Sequence, residues 1–255
     1  MKMVKFLLLL PLVAFLIGCA PVDSLNPLYT AKDIAFDPAL LGAWNGDEQG
    51  FNFAKLGESG YRIVMSGKDD HTGQVGSVTF DAQLVELDGH RFLDLVWRGS
   101  LLGDGETDVE ESLPAVHLTR TKSGLKIEPH LIQTGFSTYL ELIPAQTNRD
   151  GDSFLTRHRT AHEFFEVVTE DEGRTLHLIA LDDSWIEKQL RIGNLLIDHE
   201  VAAGGTIVLT ADTAALQRLV LDHIDDDQAF NGDTTMHRSN ADTLQPVLDP
   251  DVSRN

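Results

Sequence analysis

From residue 42 onward, apolar side chains recur at every second position in short runs, and turn residues interrupt these runs about every 8–12 residues. This alternation constrains the fold more than any other feature. A chain that sends successive side chains to opposite faces is a half-buried strand, and the close spacing of turns makes neighbouring strands antiparallel. Phe51, Phe53 and Leu56 open the pattern before the turn Gly57-Glu58-Ser59-Gly60. Tyr61, Ile63 and Met65 follow, then Val78, Phe80, Ala82 and Leu84 alternating with Thr79, Asp81 and Gln83. Asp88-Gly89 marks a hairpin, because a type I′ turn needs positive φ. Its return strand, Arg91–Arg98, carries Leu93, Leu95 and Trp97 on one face. An acidic loop is expected over 99–113, and a further hairpin from Val116–Thr121 and Leu125–Glu128.

The last third changes character. Glu163–Thr169 and Thr175–Leu181 read as a hairpin. A helix follows at about 183–192, with Ser184-Trp185-Ile186-Glu187 as a capping box and Gly193 as its stop. Leu195–Val201 and Thr206–Thr210 pair around Gly204-Gly205, and a second helix runs from about 211 to 223, capped by Thr210. Asp225-Asp226-Asp227 reads as the cap of a short final turn. The fold class expected from this order is α+β, an antiparallel β-meander followed by strand–helix units with two short helices. The globular body is expected over 36–232, with a β-rich part over 36–143 and an α+β part over 160–232. Residues 233–255 read as a disordered polar tail.

The N-terminus reads as an export signal. Lys2 and Lys5 precede the short apolar run Phe6–Ile17, which ends in Leu16-Ile17-Gly18-Cys19. The run is too short for a stable spanning helix. Its ending resembles the lipobox of bacterial lipoproteins. That resemblance implies removal of residues 1–18, acylation of Cys19, and attachment to a membrane through the acyl chains. Residues 19–35 then read as the lipidated cysteine and its tether. Ala20 rather than Asp after the cysteine favours the outer membrane, facing the periplasm, in a host that has one.

Charge and cysteine count narrow the function classes. Twenty Lys and Arg stand against 40 Asp and Glu, a formal charge of -20, and loss of Lys2 and Lys5 with the signal makes the mature chain more acidic still. Nucleic acid is excluded as a partner, since phosphate binding needs concentrated Lys and Arg. The single cysteine excludes a disulfide framework, and its commitment to lipid excludes a cysteine nucleophile. No G-x-S-x-G, P-loop, S-x-x-K or dinucleotide fingerprint is present, so no cofactor is expected.

Three local patterns invite a site. Gly42-Ala43-Trp44 is the G-x-W seen at the first strand of lipocalins, where the Trp closes one end of the barrel. His158 and His162 form an H-x₃-H pair, but Phe164-Phe165-Glu166-Val167-Val168 beside it reads as a strand, which sets i and i+4 about 13 Å apart, too far for one ion. Asp104–Glu111 alternates carboxylates, yet Val109 stands where an EF-hand loop needs glycine. No metal is expected at either.

Asn26-Pro27-Leu28-Tyr29, then Phe36-Asp37-Pro38-Ala39-Leu40-Leu41-Gly42-Ala43-Trp44, resembles the opening of a family of uncharacterised bacterial lipoproteins. Further similarity lies at Leu181–Trp185 and Leu209–His223. The resemblance implies a location and carries no catalytic residue across. Three functions stand open: a non-catalytic, lipid-anchored envelope protein that binds or assembles with another envelope protein; a lipocalin-like carrier of a small apolar ligand; and a hydrolase in which three of His71, His90, His117, His130, His158 and His162 converge with an acid. A large apolar cavity under Trp44 would favour the carrier, a His and acid cleft the hydrolase, and a filled core the first.

Overall fold

The computed structural model describes residues 21–46, 49–68, 75–102, 131–135, 138–144, 154–202 and 205–239. The signal segment, Cys19, the acidic run Asp104–Glu111 and the hairpin expected at 116–128 lie outside the described residues.

An N-terminal arm carries the two-residue strands β1 (Asp23–Ser24) and β2 (Ile34–Ala35), then a 3-10 turn at Pro38–Leu40. Strands β3 (Gly42–Asn45), β4 (Gln49–Leu56), β5 (Gly60–Lys68), β6 (Val75–Leu87) and β7 (His90–Leu102) follow, each antiparallel to the one before. Strands β8 (Leu131–Gly135), β9 (Thr138–Pro144) and β10 (Phe154–Thr160) form a separate three-stranded sheet. Strand β11 (His162–Glu170) returns to pair with β7 and then with β12 (Thr175–Leu181). After β12 come helix α1 (Asp183–Ile192), strands β13 (His199–Val201) and β14 (Ile207–Leu209), helix α2 (Thr213–Asp222) and strand β15 (Phe230–Arg238).

Strand β15 pairs with β12 on one side and β3 on the other, which closes a ring of eight antiparallel strands in the order β3-β4-β5-β6-β7-β11-β12-β15. The expected α+β class is therefore wrong. The chain is mostly β, and its two short helices belong to one insertion between the last two barrel strands. The error has a physical cause. Strand β15 carries few apolar residues, so its first half-turn of alternation passed for the start of a polar tail. Its inward positions include Thr234 and the buried Met236, enough to complete a barrel whose other walls supply the apolar mass. Residues 233–238 are thus strand. The range 19–35 is corrected in the same way, since Val22, Leu25 and Leu28 are buried and the arm from Pro21 onward is packed on the barrel. Residues 99–102 of the loop expected over 99–113 are strand, because β7 runs to Leu102, and the rest of that range lies outside the described residues.

The local signals fared better. Asp88 and Gly89 have φ of 50° and 90°, as a type I′ hairpin requires, between the paired Leu87 and His90. Gly193 ends α1 in the left-handed region at φ 74°. The caps shifted: Asp182 rather than Ser184 accepts from the Trp185 N–H, and Asp212 rather than Thr210 accepts from the Ala215 N–H. Aspartate wins both positions because its carboxylate reaches the free N–H groups and favours the helix dipole.

Two cores result. The inward side chains fill the barrel, among them Phe53, Tyr61, Ile63, Val78, Phe80, Leu84, Leu93, Phe165, Val167 and Leu178. An eight-stranded barrel is wide enough either for such a filling of side chains or for one small ligand. The second core lies outside the wall. Val85, Leu87, Phe92 and Phe164 point outward, and Val22 and Leu28 of the arm, Trp185 and Ile186 of α1, and Leu216, Leu219 and Val220 of α2 cover them.

Candidate functional site

The Trp44 end of the barrel is shut. Gly42 adopts φ 110°, a conformation closed to most residues, and turns the chain from the 3-10 segment into β3. Trp44 is fully buried, and its indole N–H donates to the Leu40 carbonyl at 2.9 Å. The Arg238 guanidinium lies 4.3 Å from the indole centroid, donates to the Leu41 carbonyl at 3.0 Å, and also bonds the Ala39 carbonyl. The last barrel strand thus bolts the first strand and its lid. Asp37 adds a second fastening: its backbone N–H donates to the Tyr61 hydroxyl at 2.7 Å, and its carboxylate receives Arg91 at 2.8 Å.

Further along the barrel a cavity of about 30 Å³ is left, lined by Phe51, Ile63, Met65, Phe80, Leu95 and Phe165, with Glu163 and Thr234 as its polar wall. Its volume suits a water or two, against several hundred Å³ for an enclosed small-molecule site. Glu163 is buried on the inner face of β11, where the sequence reading had no site.

The outer face holds a second polar group that the sequence reading missed. Asp94 sits at an outward position of β7 and is 2% exposed. One carboxylate oxygen accepts the Leu28 N–H at 2.8 Å, and the other lies 2.6 Å from His162 Nδ1. Burial pushes its pKa above the ordinary carboxylate range, and its bonds to His162 and Leu28 oppose that shift. The group pins the arm to the wall. Ser24, paired opposite His162, is buried and its hydroxyl donates to the Asn26 carbonyl at 2.9 Å, away from the imidazole. Its sequence signal was a single acid at an outward position between Phe92 and Val96, where an exposed face would carry several polar residues.

Among the described residues the histidines do not converge. His162 takes Asp94, and His90 lies 3.6 Å from Glu166, four residues further along β11. His177, which the sequence reading passed over, takes Asp233 at 2.8 Å on the β12–β15 pair. Burial raises the Glu166 pKa, and His90 opposes the rise. His158 falls in β10 and His162 opens β11, so the H-x₃-H segment is extended as expected. The His158 side chain, together with His71, His117 and His130, lies outside the described residues. Among the described residues no three His, Cys, Asp or Glu side chains are grouped to hold a metal ion. No described helix is long and apolar enough to cross a membrane.

A β-barrel of this kind is compatible with a lipocalin-like carrier, and the chain matches no protein-family model, no curated protein and no solved structure at a significant level.

Proposed function

We propose that the chain is a lipid-anchored protein of the cell envelope, held by acyl chains on Cys19, whose barrel is a non-catalytic module that binds or assembles with another envelope protein. The filled barrel interior carries the second half of this reading. A carrier needs a cavity sized for its cargo, and the cavity bounded by described inward side chains measures about 30 Å³. The anchor rests on Leu16-Ile17-Gly18-Cys19 after a short basic and apolar leader. Recovery of the chain in membranes after a high-salt wash, and the mass of its N-terminal peptide, test the anchor. The parent should carry acyl mass on Cys19, and Cys19→Ser should leave the membrane fraction. Equal membrane recovery of the two would refute it.

A second reading, a lipocalin-like carrier of a small apolar ligand, is favoured by one observation. The lining is apolar on nearly every side, it includes the flexible Met65, and the barrel is shut at the Trp44 end as a carrier requires. Titration with N-phenyl-1-naphthylamine separates the two. A filled barrel gives no saturable enhancement, whereas one-to-one binding abolished by Leu95→Trp would promote the carrier.

A further inference from the structure

We propose that residues 192–201, the stretch joining α1 to β13, rest on the lipid bilayer beside the acyl anchor, an inference that stands on the reading of Cys19 as lipidated. Ile192 is 55% exposed, Leu196 94% and Val201 59%, and these are the exposed large hydrophobic residues of the described chain. All three fall in this one stretch, while Leu195 and Ile197 between them pack inward against the outer core. Such clustering marks a contact surface, since isolated exposed apolar residues are ordinary and a run of them is not.

The arm says what covers that surface. Pro21 forms a bridge with Asp182, and the Val22 N–H donates to the Leu181 carbonyl at 3.1 Å. The chain is therefore fixed to the barrel from the second residue after Cys19. Two residues span at most about 7 Å, so acyl chains on Cys19 draw the body down onto the bilayer with no slack to hold it away. Strand β1 also carries the rest of this flank. Asp23 pairs with Val208, β14 pairs with β13, and Val201 faces Ile207. Val201 consequently stands two strand spacings, about 10 Å, across the sheet from β1. Strand β13 is the last in that sheet, so its outer edge faces away from the barrel.

The chemistry of the stretch selects the kind of lipid contact. Residues 192–201 contain Asp198, His199 and Glu200 and no Lys or Arg. Attraction to anionic head groups is thus absent, and the contact is shallow apolar insertion next to an anchor that already supplies the affinity.

The test uses the full acylated protein in phosphatidylcholine vesicles, with Leu196→Cys, Val201→Cys and, as control, Asp88→Cys at the β6–β7 turn, each labelled with an environment-sensitive dye. Acylation consumes the Cys19 thiol, so the introduced cysteine alone reacts. Dyes at 196 and 201 should shift to the blue and be quenched by spin-labelled lipid at least about twofold more than the dye at 88. Equal quenching at all three sites, in protein that carries acyl mass and floats with vesicles, would overturn this inference while leaving the anchor intact. Absence of acyl mass would sink both. The competing occupant is a second copy paired along β13. A Cys19→Ser protein that dimerises in solution, and becomes monomeric with Leu196→Asp, would overturn the bilayer contact in favour of that interface.

Discussion

The two cores of this molecule are made of the same residue types and are assembled by different rules. Much of the inner core joins strands that are neighbours in sequence: β4 to β5, β5 to β6 and β6 to β7 are all hairpin partners. The outer core joins the arm to elements far along the chain. Asn26 Nδ2 donates to the Ala211 carbonyl at 2.8 Å, Thr213 Oγ1 to the Pro27 carbonyl at 2.9 Å, and Gln217 Nε2 to the Leu28 carbonyl at 2.9 Å. The barrel interior is held by apolar packing with few polar contacts. The arm is held by apolar anchors and a row of polar pins, each of which satisfies a backbone carbonyl that lies outside the helices and strands. A barrel wall can support such a layer only where its outward positions are apolar, which is why Val85, Phe92 and Phe164 break the alternation on that side.

Substitutions at three positions probe this division. The largest effect is expected at Trp44, where inner core and lid meet. Trp44→Ala should cost about 3–5 kcal/mol by urea denaturation, because it empties a fully buried site and strands Arg238. Both cores should unfold together in this variant. An unchanged midpoint would show that the lid contributes nothing to the barrel.

Next comes the pin of the arm. Asp94→Ala leaves the Leu28 N–H and His162 without their acceptor and should cost about 1–3 kcal/mol. Hydrogen exchange should quicken at Val22, Leu25 and Leu28 and stay slow in β4 to β6; uniform acceleration across the barrel would mean that the layers are one cooperative unit. Asp94→Asn keeps an acceptor for Leu28 and separates charge from bonding. The buried acid binds its proton more tightly folded than unfolded. Folding stability should therefore fall as pH rises from the ordinary carboxylate range through its raised pKa, then level off. The Asn variant should lose that part of the decline, and identical pH profiles would refute the assignment.

The smallest effect is expected at the cap of α2. Asp212→Ala removes the acceptor of the Ala215 N–H and should cost about 1 kcal/mol. Because α2 lies on the outer core, the loss should appear in arm exchange before barrel exchange. A cost near that of Trp44→Ala would erase the distinction between the layers.

The inner wall was legible because period-two alternation reports one buried face directly. Val78, Phe80, Ala82 and Leu84 were read as one face and are one face. The outer layer left a signal that the reading passed over. Leu84-Val85, Phe92-Leu93 and Phe164-Phe165 are adjacent apolar pairs, and in a strand adjacent residues cannot share a face. Such pairs state that both faces are covered. Closure of the ring was not legible, because β15 offers Thr234 where its neighbours offer Phe or Leu, and polar alternation looks like no alternation. Glu163 and Asp94 escaped for a related reason. A buried carboxylate is recognised by its partners, and those partners are brought to it by strands remote in sequence.

The joint between β15 and β3 has a kinetic consequence. The two strands meet through two ladder pairs, His237 with Asn45 and Arg238 with Trp44, extended by the Ser239 N–H donating to the Ala43 carbonyl at 2.9 Å, and these link the ends of nearly the whole described chain. Contacts of such long separation form late, since loop closure must precede any gain from them. A chain in which β15 has not docked therefore holds β3 and β12 as open edges, each presenting unpaired backbone groups to any neighbour. Until β15 docks, the ring stays open between β3 and β12, and those edges are where self-association would start.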